Sequence, residues 1–526
     1  MQESRNNAFL KGTVSLSLSV IVTKILGVAF KVPLSYVLGD SGMGYFNTAY
    51  AIYGLFYILC TAGVPKSLTL VISKCRSEDG NTLSDLAVLK SGLSLFAFIG
   101  VFSTLLNIIC APTLARIIGN SGATLSIIAV APSIFFVSLG GVFRGYLNST
   151  QRLTKIAISQ LFEGMIKLVL GLALAMLGVR MNASVTAVSA LAIVGITVGS
   201  AISFLYMMIV VFYYKTDDKI EQNEKYESKS IKKQILKNAL PIALSATLLN
   251  LSSTLDLAII IRRLVVSGVS EEYANSIYGN YTTLAVPMFN LVISVLAPIA
   301  SSYMPGLAEL DLKGKQKEFI CKLKELLMLT LIVSVPASVA LYFYSFDLLD
   351  VLFSLQSSAV GAPMLATLSL GICMMSVLTV VNTALESQRR ISAAVFSLLL
   401  GAAVKLFVSY ILIGRGDLGI LGAPIGSVIS YVVSLAVSLA FLERNGCRIF
   451  AASKILILYL VCLLAFYPSY RLIYLTSLLD SSFLSMLLSL AGSFLAYCFL
   501  LILVYAVTTR TSVFKMHKKQ QFSLAE

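Results

Sequence analysis

Apolar runs of about twenty residues recur along the whole chain, each long enough to cross about 30 Å of hydrocarbon as a helix, and short polar stretches separate them. Fourteen such runs centre on 12–37, 45–73, 84–110, 122–143, 156–178, 184–214, 238–265, 277–304, 321–345, 358–383, 391–413, 419–442, 454–475 and 482–507. The pattern predicts an all-α integral membrane protein of fourteen transmembrane helices. The first run follows the polar start MQESRNNAF, but it is too long and too interrupted by lysine for a cleaved signal peptide, so it is expected to be retained.

Composition agrees with this reading. Of the 526 residues, 57% are hydrophobic and 12% charged, against roughly 45 to 50% apolar in a soluble domain. Tryptophan is absent, which leaves tyrosine to supply the interfacial belt. The eight cysteines are scattered without metal-ligand or disulfide spacing and read as small buried hydrophobes.

A net charge of +15 suggests nucleic acid until the basic residues are placed. With the N-terminus inside, only Arg116, Arg180, Arg262, Arg263, Arg415 and Arg471 fall on the far side. Lys24, Lys31, Lys66, Lys167 and Lys405 lie within apolar runs. The others sit in loops and tails on the N-terminal side, among them Lys74, Arg76, Arg144, Arg152, Lys232, Lys233, Lys317, Arg389, Arg444 and Lys518. This is the positive-inside asymmetry of a membrane protein. It places both termini in the cytoplasm and the chain in the cell membrane, and an odd span count would scramble it.

The chain divides at its longest polar stretch, YYKTDDKIEQNEKYESKSIKKQILK from Tyr213, whose charge density excludes it from lipid. The expected parts are an N-lobe of spans one to six (1–214), a cytoplasmic linker (215–235), a C-lobe of spans seven to twelve (236–445), a helix pair of spans thirteen and fourteen (446–507), and a basic tail (508–526) suited to anionic lipid. The lobes repeat. GITVGSAIS from Gly195 and GAPIGSVIS from Gly422 share GxxxGSxIS, and LNSTQRLTKIAISQLFEGMIKL from Leu147 matches LESQRRISAAVFSLLLGAAVKL from Leu385 with a one-residue slip. The match sets Gln151 and Arg152 on Gln388 and Arg389, and Lys167 on Lys405. Repeats of one orientation imply a pseudo-two-fold axis along the membrane normal and a cavity between six-helix lobes; the glycines also read as a close-packing seam.

An unpaired lysine at the centre of a spanning helix costs roughly 2.5 to 3.5 kcal/mol even on the lower scales, so such residues face a cavity or a partner, or snorkel to the headgroups. Lys24, Lys167 and Lys405 fall near the midplane, beyond the reach of snorkelling, and Lys31 lies two turns from Lys24 on the same face. All four are candidate ligands for an anion. Glu163 stands four residues before Lys167, in position to neutralise it. Asp256, in span seven, has three open roles: coupling to a proton or Na⁺, pairing with an intramembrane lysine, or capping a helix break. Pro65 and Lys66 mark a candidate break or gate in span two.

Enzyme chemistry finds little support. The one histidine, His517, lies in the tail, and no GxxxxGK[ST] cradle is present, so no metal, cofactor or nucleotide is expected.

The string GTVSLSLSVIVTKILGVAFKVPLSYVLGDSGMGYFNTAYAIYGLFYILCTAGVPKSL, from Gly12, resembles the opening of the stage V sporulation protein B group of polysaccharide-biosynthesis membrane proteins. FRGYLNSTQRLTKIAISQLFEGMIKLVLGLAL, from Phe143, is similar to the same group's fourth and fifth spans. That group sits in the multidrug/oligosaccharidyl-lipid/polysaccharide exporter superfamily, beside MurJ lipid II flippases and MATE efflux pumps. Where relatives carry Arg in a T-R-x-L-G string, Lys24 keeps the charge and loses the guanidinium fork.

The resemblance implies a MATE/MurJ-like fold and an alternating-access flippase for a polyprenyl diphosphate-linked saccharide, a precursor of cell wall, spore cortex or surface polysaccharide. Membrane lipids and envelope synthases are the further partners it implies. Two other readings stay open: a cation-coupled multidrug antiporter, whose substrates would want carboxylates, and a scaffold for envelope synthesis that transports nothing.

Overall fold

The computed structural model describes residues 2–77, 85–215, 228–415, 418–443, 460–468, 470–471 and 486–502, nearly all of them helical. The first half runs α1 (Gln2–Ile58), α2 (Val64–Ser77), α3 (Asp85–Ile118), α4 (Thr124–Ser149), α5 (Leu153–Arg180), α6 (Val185–Lys215) and α7 (Ser228–Val266). The second runs α8 (Glu271–Asn280), α9 (Val286–Leu312), α10 (Gln316–Phe343), α11 (Ser345–Leu352), α12 (Leu355–Ser369), α13 (Gly371–Ser387), α14 (Ile391–Ile413) and α15 (Gly422–Glu443). By contact the chain divides into two compact units, 1–294 with 395–433 and 295–394 with 434–526. Contact units report packing; the lobes expected from the repeat rest on orientation and repetition and are a different division.

Nine described helical runs are long and apolar enough to cross a membrane, ten with the bent pair α12–α13. One of them, Val22–Ile72, is far longer than a single crossing needs. It turns back on itself at Gly39, whose φ of 64° breaks the helix inside α1. Sixteen residues of straight helix would span about 24 Å, yet the rings of Phe30 and Phe46 lie 5.8 Å apart and Lys31 Nζ lies 3.0 Å from Asn47 Oδ1. The arms 2–38 and 40–58 therefore form a hairpin, and the run supplies the first two expected spans. Spans three to twelve have helical counterparts in α3 to α15. Spans thirteen and fourteen fall partly outside the described residues, and the basic tail wholly so.

Two five-residue π-helical segments, Leu59–Gly63 and Tyr281–Ala285, interrupt the spans, and each is followed directly by Val-Pro. Pro65 and Pro287 have no N–H to continue the α-helical ladder, and their rings clash with the carbonyl four residues back, which favours the wider turn. Val286 donates to the Tyr281 carbonyl. The next carbonyl, Thr282, would bond to residue 287, and proline cannot supply the donor. Lys31 Nζ supplies it, at 2.9 Å.

Glycine seams set the helix spacing in the first unit. A Cβ at Gly195 would lie 2.5 Å from Gly171 Cα, and one at Gly199 would lie 2.9 Å from the Glu163 carbonyl. In the second copy of the motif, a Cβ at Gly426 would meet Ser409 Oγ at 2.5 Å and the Lys405 carbonyl at 3.3 Å. Both GxxxG strings are thus packing seams, and each presses on the helix that carries Lys167 or Lys405.

The turns before those helices place Gln151 (φ 57°) and Arg389 (φ 60°) in the left-handed region. Arg152 and Arg390 close equivalent bonds to the Leu147 and Leu385 carbonyls. The structural register therefore sets Gln151 on Arg389, the same offset that relates Lys167 to Lys405, and the one-residue slip of the sequence match disappears. Arg144 also departs from its expected loop position: it lies within α4 and is buried. The end of the expected linker is the start of α7, where Ile231 and Ile235 join a core with Leu68, Val88, Phe143 and Val142.

In the second unit, Tyr344 is fully buried, with its hydroxyl 3.0 Å from Ser493 Oγ, and Tyr497 donates to the Ile332 carbonyl at 3.0 Å. These bonds dock helix Met486–Ile502 on α10 and its neighbour.

The same exchange at two glycines of one arm tests this packing. A Cβ at Gly44 would lie 2.3 Å from the Asn275 carbonyl, whereas one at Gly54 has nothing within 4 Å. Gly44→Ala should destabilise by about 1 to 3 kcal/mol, and Gly54→Ala should be neutral or stabilising by up to about 1 kcal/mol. Denaturant titration in micelles, compared with wild type, checks both signs.

Candidate functional site

Within the first unit, the two arms of α1 meet α5 and α6 around a cavity of about 500 Å³. Lys24 and Thr23 enter from the first arm, Tyr50, Tyr53, Gly54 and Tyr57 from the second, and Gln160, Glu163 and Lys167 from α5. The tyrosines follow from spacing: positions 46, 50, 53 and 57 lie on one helical face, and successive rings of Phe46, Tyr50, Tyr53 and Tyr57 are 6.0, 5.9 and 5.5 Å apart. Gly54 sits on that face and leaves the space open. Ser19 Oγ donates to Gln160 Oε1 at 3.2 Å and ties the first arm to α5.

The five lysines have different fates. Lys24 is exposed to the cavity and, among the described residues, has no hydrogen-bond or ion-pair partner. Lys167 Nζ lies 4.4 Å from the Tyr50 ring centroid and 5.4 Å from that of Phe30, with the Tyr50 hydroxyl at 3.4 Å. Aromatic faces hold a desolvated ammonium without cancelling its charge. Lys31 lies deeper toward the hairpin turn, with its ammonium committed to Asn47 and the Thr282 carbonyl. Lys66 is exposed just after the first π segment.

Lys405 forms an ion pair with Asp256, Nζ to Oδ2 at 2.8 Å. Sequence spacing gave Lys405 no partner because its carboxylate comes from α7, far away in the chain.

Glu163 does not pair with Lys167. Its Oε2 lies 3.1 Å from Arg144 Nη2, across from α4. The Arg144 residue is missed by sequence reasoning because it stands near a span end and counts as a loop cation. Its signal is the glycine pattern Gly141-x-x-x-Gly145 around it: a Cβ at Gly141 would lie 2.8 Å from the Cys60 carbonyl and one at Gly145 2.9 Å from the Pro65 carbonyl. So α4 is packed against the first π segment, and Arg144 is carried inside. The tyrosine stripe is also missed, though its helical spacing is plain.

Beyond Lys31, toward Gly39, Asn47 Nδ2 donates to Thr283 Oγ1 (2.7 Å), Asn275 Nδ2 to the Ser41 carbonyl (2.8 Å) and Asn280 Nδ2 to Asp40 Oδ2 (3.0 Å). Asn120 Nδ2 bonds both Asn275 Oδ1 (2.6 Å) and Thr48 Oγ1 (2.8 Å). Glycines permit the contact: a Cβ at Gly279 would lie 2.5 Å from the Asp40 carbonyl and 2.8 Å from Gly44 N. The hydrogen bonds of this polar seam between α1, α8 and the second π segment are made by short amide, hydroxyl and carboxylate side chains and by backbone.

The described helices form a membrane-type bundle with a cationic, aromatic-walled cavity, and the chain matches the polysaccharide biosynthesis protein family over residues 9–311. It belongs to that family. Its relatives include stage V sporulation protein B of Bacillus subtilis (strain 168), 25% identical over 429 residues that cover 81% of this chain and 82% of that one. The lipid II flippase MurJ of the same organism is 21% identical over 462 residues, covering 84% of each chain. Among solved structures, lipid II flippase MurJ in an inward closed conformation superposes with a TM-score of 0.74 at 16% identity, covering 94% of this chain and 100% of that one. The protein is therefore an all-α, multi-pass membrane protein with the MurJ/MATE fold.

The Lys405–Asp256 pair supplies a test of structural against ligand roles. Lys405→Met strands a buried carboxylate and should cost about 3 to 5 kcal/mol, whereas Lys405→Met with Asp256→Leu should recover most of that loss. Thermal unfolding of the purified variants distinguishes the two; a double variant no more stable than the single one would show that the pair is not what Lys405 serves.

Proposed function

We propose that the protein translocates a lipid-linked saccharide whose head carries phosphate, most simply a polyprenyl diphosphate saccharide. One observation carries the reading: Lys24 and Lys167 line one cavity whose only acidic lining residue among the described residues, Glu163, is committed to Arg144. The cavity is left with net positive charge at membrane depth, where only an anionic ligand offsets the desolvation of two ammonium groups. The tyrosine stripe adds amphipathic ring surface beside that charge, suited to sugar rings, while an isoprenoid tail can remain in lipid. MurJ is named a lipid II flippase, and lipid II is a carrier-linked saccharide of this chemical kind.

In this reading both termini are cytoplasmic, so the turn at Gly39 faces outward and the seam of α1 with α8 is the closed outer gate. Diphosphate engages Lys24 and Lys167 from the inner side, and the seam parts when the lobes exchange openings. Lys31 moves from the Thr282 carbonyl in that exchange, and Lys405 stays paired with Asp256 and shapes its helix instead of binding substrate. Pro65 and Pro287 keep the two π segments as the places where the spans bend. A cationic drug would meet the wrong sign of charge in this cavity.

Translocation of a fluorescent polyprenyl diphosphate saccharide in proteoliposomes tests the proposal. Lys24→Met should lower the rate by about ten- to a hundredfold, as expected for loss of a charge-assisted contact, with unfolding unchanged. Gly54→Leu, which fills open space without backbone strain, should also block transport. Undiminished flipping in both variants would overturn the assignment, and transport of lipophilic cations in their place would favour a drug antiporter.

A further inference from the structure

Arg116, Arg262, Arg263 and Arg415 come together at the seam end of the first unit. Arg116 lies in the last turn of α3, Arg262 and Arg263 lie near the end of α7, and Arg415 follows α14. Arg262 Nη2 reaches the Arg116 carbonyl at 3.4 Å, and its Cγ would touch a side chain placed at Gly119, at 3.4 Å. Arg263 is stacked on Tyr410, Cζ to ring centroid 4.3 Å, and its Nε donates to the Tyr410 carbonyl at 3.0 Å. Its guanidinium fills the place of a side chain at Gly414, the residue before Arg415.

Among the described residues none of the four has a carboxylate partner. Of the acids at the seam, Glu271 is committed to the Ser121 backbone N–H (2.8 Å) and hydroxyl (2.9 Å), Asp40 accepts from Asn280, and Glu272 faces Tyr45. Attraction to helix C-termini explains one cation per helix end. It does not explain why three ends bring their cations together, against mutual repulsion. Backbone carbonyls and a ring face hold Arg262 and Arg263 in place, which leaves fixed forks of donors suited to phosphate oxygens.

We propose that this cluster is a binding site for the phosphate of a lipid headgroup. It rests on the transport reading for its role: Arg262 packs at Gly119, and the next residue, Asn120, holds the seam through Asn275 and Thr48. A phosphate bound there lies beside the gate from which the substrate emerges. Two sources share this chemistry, the diphosphate of the translocated lipid and an anionic phospholipid of the outer leaflet.

The test uses the full chain in phosphatidylcholine nanodiscs, with farnesyl diphosphate and phosphatidylglycerol as separate probes and bound equivalents counted by native mass spectrometry. Wild type should hold two farnesyl diphosphates, one in the cavity and one at the cluster. Lys24→Met should lose the first and keep the second; Arg116→Gln/Arg262→Gln/Arg415→Gln should do the reverse. Arg263 is left intact because it packs on Tyr410. Arg116→Gln alone removes a guanidinium with no partner among the described residues and should weaken the second site on the order of tenfold while the fold is untouched.

Loss of phosphatidylglycerol without loss of farnesyl diphosphate in the triple variant assigns the site to a resident phospholipid. If Lys24→Met keeps both equivalents while the triple variant loses one, the cavity reading fails and the arginine site stands. Binding of both probes by the arginine variants as by wild type would overturn the proposal.

Discussion

Charge pairing at membrane depth is the constraint on which the first unit depends. A carboxylate buried there without a cation is strongly destabilising, so Asp256 is held by Lys405 and Glu163 by Arg144. These two pairings use up the acids that would otherwise neutralise the cavity lysines. What remains is Lys24, with no partner among the described residues, and Lys167 against two aromatic rings. The sign of the cavity is therefore set by which cation each carboxylate takes.

Backbone irregularity does the positioning. Gly39 folds α1 into a hairpin, which brings Lys24 and the tyrosine stripe to face each other across one space. The two Val-Pro steps each open a π segment, and the second leaves a carbonyl for Lys31. The glycine seams of α6 and α15 then fix how far the lysine-bearing helices stand from their neighbours. Small residues set the contact of α1 with α8 for the same reason: Gly44 and Gly279 let the two backbones approach.

Much of this was legible in the chain. Hydropathy gave helix existence and order through span twelve, because in lipid the backbone must be satisfied within each segment. The repeat located Lys167 and Lys405 as equivalents, and the left-handed turns at Gln151 and Arg389 confirm that offset. The lysines themselves were conspicuous because charge in an apolar run is costly. Pairing of Asp256 with an intramembrane lysine was among the readings, and Lys405 is that lysine; Arg144 was not foreseen, since it comes from another helix and spacing along one helix is blind to it. Glu163 misled for that reason: it stands at the right interval from Lys167 but points to a stronger, bidentate-capable partner on α4. The paired Thr-x-x-Val-Pro strings at 61–65 and 283–287 were a readable repeat that hydropathy alone does not flag.

The most direct measurement is native mass spectrometry of the gently extracted wild-type protein and its Lys24→Met/Lys167→Met variant. A polyprenyl diphosphate saccharide retained by wild type and absent from the variant is the predicted result, and its mass would identify the sugar. Equal retention in both, or a cationic ligand in wild type, would contradict the claim that these two lysines hold an anionic head.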